Sequence, residues 1–454
     1  MNKVEPRTLP GFMELLPNDQ VKFNIMKEKI KNSYEKFGFL PVDTPAIELA
    51  DVLLAKAGGE TEKQIYRFQK GEADLSLRFD HTVPLAKYVA LHQGELAFPF
   101  KRYAIGKVYR GEKAQKGRYR EFYQCDIDII GEGELSIIND AQMPNIIYNT
   151  FKDLGFDNFT ICINNRKILN GLFENLKLKE KTTDILRIID KIEKIGETAV
   201  VEELDKIGVE KTACNSIIKF VTITGKTDEK IVALNKLGIE NKLFKTGVEE
   251  LTDVVKYLRL LGMPEEYFTV DLKIARGLDY YTGTVYETFL NEYRNIGSIC
   301  SGGRYDNLAE YYTDKLLPGV GISIGLTRLY YQLSQIDQIK ETKESISKIL
   351  VVPMEKELTE SLEIASNLRN SGINTDIYLE EAKIKKKMKY ADKLKIPYVI
   401  VVGEEEIATK LLTLRDMKTG EQKKLTIEQI IDTIRKITMY KQSSCLPSTN
   451  INYK

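Results

Sequence analysis

Two neighbouring runs of the chain alternate apolar and polar residues with period two: RYAIGKVYR from Arg102, and EFYQCDIDIIG ending at Gly131. Between them lies GEKAQKGRYR, a polar connector punctuated by glycine. The pattern predicts two strands joined as an antiparallel hairpin. Alternation then sorts the side chains. On the second strand Phe122, Gln124, Asp126 and Asp128 share one face, and Tyr123, Cys125, Ile127 and Ile129 the other. On the first, Arg102 and Arg110 share a face with the small residues Ala104 and Gly106 between them. One side of the ribbon is apolar. The other presents arginine, glutamine and two carboxylates, and the connector adds Arg118 and Arg120. An arginine fork grips phosphate or carboxylate through two parallel hydrogen bonds. The ribbon alone fits both a salt-bridged sheet edge and the floor of a ligand site.

Along the rest of the chain, Phe23, Met26, Ile30, Tyr34 and Phe37 recur at helical spacing and predict a long amphipathic helix from Gln20 to Phe37. FGFLPVDTPAIE reads as a strand interrupted by Pro45, which suits a sheet edge or a self-association surface. Residues 51–70 read as helix and then irregular chain. Leu75, Leu77 and Phe79 alternate as a strand, and HTVPLAKYVALH opens a helix with Pro84 in its first turn. Asp80 and Thr82 therefore sit at a strand-to-helix junction, where helix caps and ligand sites both occur. Residues 135–262 are mostly helical, with a weak strand at FTICINN, and 167–262 reads as an inserted helical domain without a recognisable site. TVDLKIARGLDYYTGTVYETF returns to strand character. At 297–333 a glycine-rich turn and a helix precede the short apolar strand GVGISIGL, which leads into a helix near Arg328. From Ile349 strands alternate with helices, predicting a small α/β unit with mostly parallel strands. Its Lys-rich helix, 380–395, is either a solvated face or a phosphate contact.

Composition narrows the class. A chain of 454 residues needs two or three domains, and a net charge of +1 excludes a generally basic nucleic-acid coat. The five cysteines form no C-x-x-C pair, which argues against zinc or disulfides and suits a reducing cytoplasm. No apolar run would span a bilayer and no signal-peptide core opens the chain, so a soluble cytoplasmic protein is expected. The only histidines, His81 and His92, lack a triad context, and no P-loop is present. An enzyme of this composition would work by charge placement rather than by a protein base.

Several separated stretches together resemble one family. YRGEKAQKGRYREFYQCDIDIIG resembles motif 2 of class II aminoacyl-tRNA synthetases in its histidyl version. ARGLDYYTGTVYE and SGGRYDNL are similar to the two histidyl signatures, GVGISIGLTRL to motif 3, and PGFMELLP and LRFDHTVPLAKY fit as well. The end of the chain resembles the anticodon-binding domain of the histidyl, prolyl, threonyl and glycyl enzymes. The resemblance covers nearly the whole chain and implies an α+β fold: an antiparallel catalytic sheet flanked by helices at 1–333 with the insertion at 167–262, a linker at 334–348, an α/β anticodon-binding domain at 349–440, and a disordered tail at 441–454. It implies a homodimeric histidine–tRNA ligase that uses ATP with Mg2+, forms histidyl-adenylate and charges the 3' end of tRNA(His). The other reading is a non-catalytic histidine-binding regulatory paralogue of ATP phosphoribosyltransferase.

The resemblance also implies roles residue by residue. Asp80, Thr82 and Gln124 would hold the substrate α-ammonium, and Asp128 and Tyr281, beside Tyr280, the imidazole. Arg110 and Arg276 would stabilise the α-phosphate and contact the substrate carboxylate, Arg118 would reach the outer phosphates, and Glu112 the adenine amino group. Adenine would lie between Phe122 and Arg328. No protein metal site is expected. The chain departs from the family pattern at Glu14, Ala114, Asp80 and Asp128, the last two being Asp where Glu is common. An Asp128→Ala change is expected to abolish histidine activation while sparing the fold.

Overall fold

A computed structural model describes residues 3–55, 60–113, 117–189, 191–274, 280–335, 345–354 and 356–443. Arg276, Ala114, much of the expected linker and most of the expected tail lie outside these residues. The chain divides into two units, one of residues 1–14 and 23–338, the other of residues 15–22 and 339–454.

The first unit is built on an eight-stranded sheet. Its strands are β1 (Leu40–Pro41), β5 (Phe100–Tyr109), β6 (Glu121–Ile130), β7 (Phe159–Asn165), β8 (Phe268–Val270), β9 (Thr284–Leu290), β10 (Cys300–Tyr305) and β11 (Gly319–Gly325), in the order β1-β5-β6-β11-β10-β9-β7-β8. Only the two edge pairings, β1 with β5 and β7 with β8, are parallel. Strands β2 (Ile47–Leu49), β3 (Arg67–Lys70) and β4 (Ala73–Leu77) form a separate antiparallel sheet. The predicted hairpin is β5 and β6, and its apolar face is core: Cys125, Ile127 and Ile129 are fully buried. The helix Pro17–Lys36 lies over that face, its Phe23 ring 5.3 Å from Tyr123 and its Tyr34 hydroxyl donating to the Cys125 carbonyl at 2.9 Å. Burying this stripe, rather than helix propensity, holds such a helix in place.

One expectation is corrected. The glycine-rich stretch at Cys300–Tyr305 is a strand in the middle of the sheet, and only a single 3-10 turn follows it at Leu308–Tyr311. Its glycines serve close approach: a Cβ on Gly302 would collide with the Gly321 carbonyl of β11. FTICINN is a seven-residue strand, buried along most of its length between β8 and β9. Between β7 and β8 the chain is helical, including Arg166–Asn175, Lys211–Val221 and Lys242–Leu260.

In the second unit β12 (Ile349–Pro353), β13 (Thr375–Ile377), β14 (Tyr398–Val402), β15 (Leu412–Asp416) and β16 (Gln422–Leu425) follow the order β13-β12-β14-β15-β16. The first three are parallel and the last two antiparallel. Alternate residues of β12 feed two cores, Ile349 and Val351 packing with Leu368 and Ile434, and Leu350 and Val352 with Ala391 and Ile396. Helices thus cover both faces. Strand β16 escapes sequence reading because QKKL is almost wholly exposed. Within the Lys-rich helix, Ile384–Lys393, Lys387 is buried and donates to the Pro353 carbonyl at 2.6 Å. One lysine of that run is thus structural, while Lys385, Lys389 and Lys393 are exposed at successive turns. Among the described residues no helix is long and apolar enough to cross a membrane.

Candidate active site

The polar face of the hairpin is where the sheet opens. Register pairs Arg102 with Asp128, Ala104 with Asp126, Gly106 with Gln124 and Val108 with Phe122. On the other side of β6, Gly321 lies opposite Asp128, Ser323 opposite Asp126 and Gly325 opposite Gln124. Small residues on both neighbouring strands leave the long side chains of β6 standing above a bare floor. Gly321 has to be bare, because a Cβ there would collide with the Asp128 carboxylate and approach the Ile127 carbonyl at 2.6 Å.

Two cavities meet on this floor. One, of about 300 Å3, is lined by Arg110, Glu112, Arg118, Phe122, Gln124 and Arg328, among others. The other, of about 320 Å3, is lined by Asp80, Thr82, Arg110, Gln124, Asp128, Tyr280 and Tyr281, among others. Arg110 and Gln124 line both, as do Ser301 and Ser323. Every candidate residue that the structure describes is therefore in one connected region. Arg276 lies outside the described residues.

The first cavity is cationic. The Arg110 guanidinium lies 4.3 Å from the Phe79 ring and 5.2 Å from the Phe122 ring, and its Nε donates to the Phe79 carbonyl at 3.3 Å. Arg118 and Glu112 form a half-exposed pair at 3.6 Å. Arg328 donates to the Ser298 carbonyl at 3.1 Å, and its acidity is increased by burial and by the facing charge of Arg118. Two guanidiniums held against each other make a place for a polyanion.

The second cavity is acidic. Asp80 Oδ1 accepts the amides of Thr82 at 3.1 Å and Val83 at 3.0 Å, starting the helix Thr82–His92, and the same carboxyl faces the cavity. Capping and site lining thus coexist in one side chain. Burial raises its pKa, opposed by those amides and by Arg110. Asp128 Oδ2 pairs with the Arg102 guanidinium at 2.7 Å, with both side chains almost wholly buried, and Asp128 Oδ1 accepts the Tyr305 hydroxyl at 2.7 Å. Burial again raises this carboxyl, and Arg102 and Tyr305 pull it back. Asp126 is pushed up to about 7 by burial, against the pull of Arg102 and Ser323. The Tyr280 and Tyr281 rings meet edge to face at 4.9 Å.

Sequence reasoning left out Asp126, Ser301, Ser323, Tyr305 and Glu287, all of which line the second cavity. Alternation had already put Asp126 on the right face. Ser323 is the one hydroxyl in the otherwise apolar GVGISIGL. Nothing local marks Tyr305. Arg304, from the same signature, turns away and forms a buried pair with Asp140 at 2.6 Å. His81 lines neither cavity. It is buried beside Arg102 and Arg78, and its pKa is pushed down to about 3, chiefly by burial. Lining neither cavity, it is not placed to serve the site as a base. Among the described residues no cluster of His, Cys, Asp and Glu could hold a metal ion.

Comparison with known proteins bears on what these cavities serve. Residues 11–329 match the family model described as histidyl-tRNA synthetase, and residues 348–437 match the model of an anticodon-binding domain. A curated histidine–tRNA ligase of Clostridium tetani is 58% identical over 433 residues, covering 95% of this chain and 98% of that one. A crystal structure of histidyl-tRNA synthetase from Nostoc sp. PCC 7120 superposes with a TM-score of 0.86 at 40% identity, covering 96% of this chain and all of that one. A structure described as an ATP phosphoribosyltransferase regulatory subunit/histidyl-tRNA synthetase from Bacillus halodurans shares the fold at 20% identity, with a TM-score of 0.72 over 86% of this chain.

Proposed function

The chain belongs to the histidyl-tRNA synthetase family, and on that premise we propose how its two joined cavities divide the family's reaction. Its activity is that of a histidine–tRNA ligase, which implies ATP, L-histidine and tRNA as partners. The regulatory-paralogue reading is not favoured: the histidine–tRNA ligase relative aligns along 95% of the chain, and an anticodon-binding domain is present.

The acidic cavity takes histidine. Asp80, Thr82 and Gln124 receive the α-ammonium, whose positive charge needs acceptors and a carboxylate. Asp128, with Tyr281 and Tyr280, receives the imidazole. Two distinct ring nitrogens call for an acceptor and a hydroxyl, and buried groups left unmatched by an isostere give discrimination of roughly 10⁴-fold. The cationic cavity takes ATP. Adenine stacks between Phe122 and Arg328, Glu112 accepts its amino group, and Arg118 reaches the outer phosphates. Mg2+ enters as part of the nucleotide substrate, where it neutralises phosphate charge.

The observation that carries this reading is that Arg110 and Gln124 line both cavities. A histidine carboxylate and an α-phosphate would meet at Arg110, which neutralises both as the carboxylate oxygen bonds to phosphorus and pyrophosphate departs. Arg276, which the histidyl signature supplies, is the second arginine for the same phosphate. Holding the reactants in line and stabilising the developing charge supplies most of the acceleration. The histidyl group then passes to the 3' end of tRNA(His). The test is ATP–pyrophosphate exchange with each amino acid in turn. Histidine should support exchange, and a larger rate with any other amino acid rejects the assignment.

We further propose a cytoplasmic homodimer. The edge strands leave Leu40, Ile47 and Leu49 exposed. An unpaired apolar sheet edge invites a second copy. Sedimentation should show two chains per particle, and Leu40→Glu with Ile47→Glu should shift it to one. A wild-type monomer at micromolar concentration rejects this part.

A further inference from the structure

Two tyrosines of the acidic cavity, Tyr281 and Tyr305, are each followed by a residue that lines neither cavity, Thr282 and Asp306. Those two residues bind each other. Thr282 Oγ1 donates to Asp306 Oδ2 at 2.6 Å and accepts the Asp306 amide at 3.1 Å. The Thr282 amide donates to the Arg304 carbonyl at 2.8 Å. The β9–β10 ladder ends at the pair Val285–Gly303, and its register, continued, would set Thr282 opposite Asp306. Past the ladder, side chains join the two strands. Asp306 is itself held: its Oδ1 lies 3.5 Å from Arg304 Nη1, and Arg304 is fixed on the buried Asp140.

We propose that Thr282 and Asp306 are positioning residues, a latch that fixes Tyr281 relative to the Tyr305–Asp128 pair and thereby sets the grip on the substrate imidazole. The proposal rests on the histidine-activating reading above. Tyr305 is tied to Asp128 through its hydroxyl. The Tyr281 ring has a different support. It occupies the space that a Cβ on Gly303 would need, with its Cδ1 only 2.9 Å from that point. Glycine offers no side chain to stop the ring sliding along the strand, so its place depends on its backbone. Arg166 reaches the Tyr281 carbonyl at 3.4 Å, and the bonds of Thr282, one residue on, are shorter. The latch joins the residue after one tyrosine to the residue after the other, so it fixes the separation of the two. A displacement there misplaces groups that must meet the imidazole together. Neither latch residue lies at the cationic cavity, so the nucleotide should not feel its loss.

Exchange kinetics on variants of the full-length protein test the latch. Thr282→Val keeps the shape and removes the hydroxyl, Thr282→Ser keeps the hydroxyl, and Asp306→Ala breaks the same bond from the other strand. Thr282→Val and Asp306→Ala should each raise KM for histidine by roughly 10-fold, about what one lost hydrogen bond is worth, and leave KM for ATP within about twofold. Thr282→Ser should stay within about twofold of the unmodified protein for both. Because the two residues act as one unit, Thr282→Val with Asp306→Ala should cost no more than the larger single change. Unchanged KM for histidine overturns the proposal, and so does an equal rise in KM for ATP. A fall in kcat alone, as a smaller folded fraction gives, also overturns it. Serine as poor as valine would assign the effect to methyl packing, and additive costs would mean that the residues act separately; both reject the latch. Either single change suffices if the other fails to fold. If the unmodified protein shows no histidine-dependent exchange, it is the activity assignment that fails, before any variant is compared.

Discussion

Asp128→Ala is expected to lose both histidine activation and a large part of the stability of its unit. The sequence-based expectation was that the fold would be spared. The structure argues otherwise, because Asp128 is the buried partner of Arg102 at 2.7 Å. Arg102 is 1% exposed, and its remaining described hydrogen bond is to the His81 carbonyl at 3.0 Å. Removing the carboxylate strands a guanidinium in the sheet, a change that typically costs about 3–5 kcal/mol. It also frees Tyr305, whose hydroxyl is fixed by Asp128 Oδ1. Losing a charged hydrogen bond to the imidazole and misplacing the ring should together lower kcat/KM for histidine by roughly 10³-fold. The two effects can be separated. Arg102→Met combined with Asp128→Leu removes the pair rather than half of it, and such replacements are often neutral for stability. Denaturant unfolding should show the double variant recovering most of the loss, and exchange assays should show it still inactive. An active double variant would mean that Asp128 acts only as a counter-ion to Arg102.

Arg110→Ala should cost about 10²–10³ in kcat, the typical loss for one donor aimed at transition-state charge. Little stability should go with it, since the side chain is only half-buried. The informative variant is Arg110→Lys. Lysine keeps the charge but not the planar fork, and it cannot stack as the guanidinium does 4.3 Å from Phe79. If orientation matters as much as charge, lysine recovers no more than about tenfold of the loss. Single-turnover adenylate formation reads this directly. A loss confined to KM for ATP, with kcat intact, would reassign Arg110 to ground-state binding.

What could be read from sequence was mostly what period-two alternation encodes. Phe122, Gln124, Asp126 and Asp128 come out on one face because strand geometry leaves no choice. Register did not come out. The ten-residue connector GEKAQKGRYR does not fix pairing as a two-residue turn would, so nothing in the sequence placed Arg102 opposite Asp128. Without that pairing, the sequence shows Asp128 only as a ligand group. Glycine usually marks a turn, yet at Cys300–Tyr305 it marks strands in close contact. Arg304 finds Asp140 across 164 residues of chain, a contact no local pattern contains. The same alternation puts Asp126 on that face beside Asp128.

The bare floor at Gly302 and Gly321 reverses the usual sense of mutational damage. Most sites are lost by truncation, when a side chain that did something is cut back. Here the working part is a side chain left out, its place already taken by neighbouring atoms. Any replacement adds atoms, and the first added carbon already collides, at Gly321 with Asp128 and at Gly302 with the backbone of β11. Alanine, the conventional eraser, is at these two positions the smallest possible insertion.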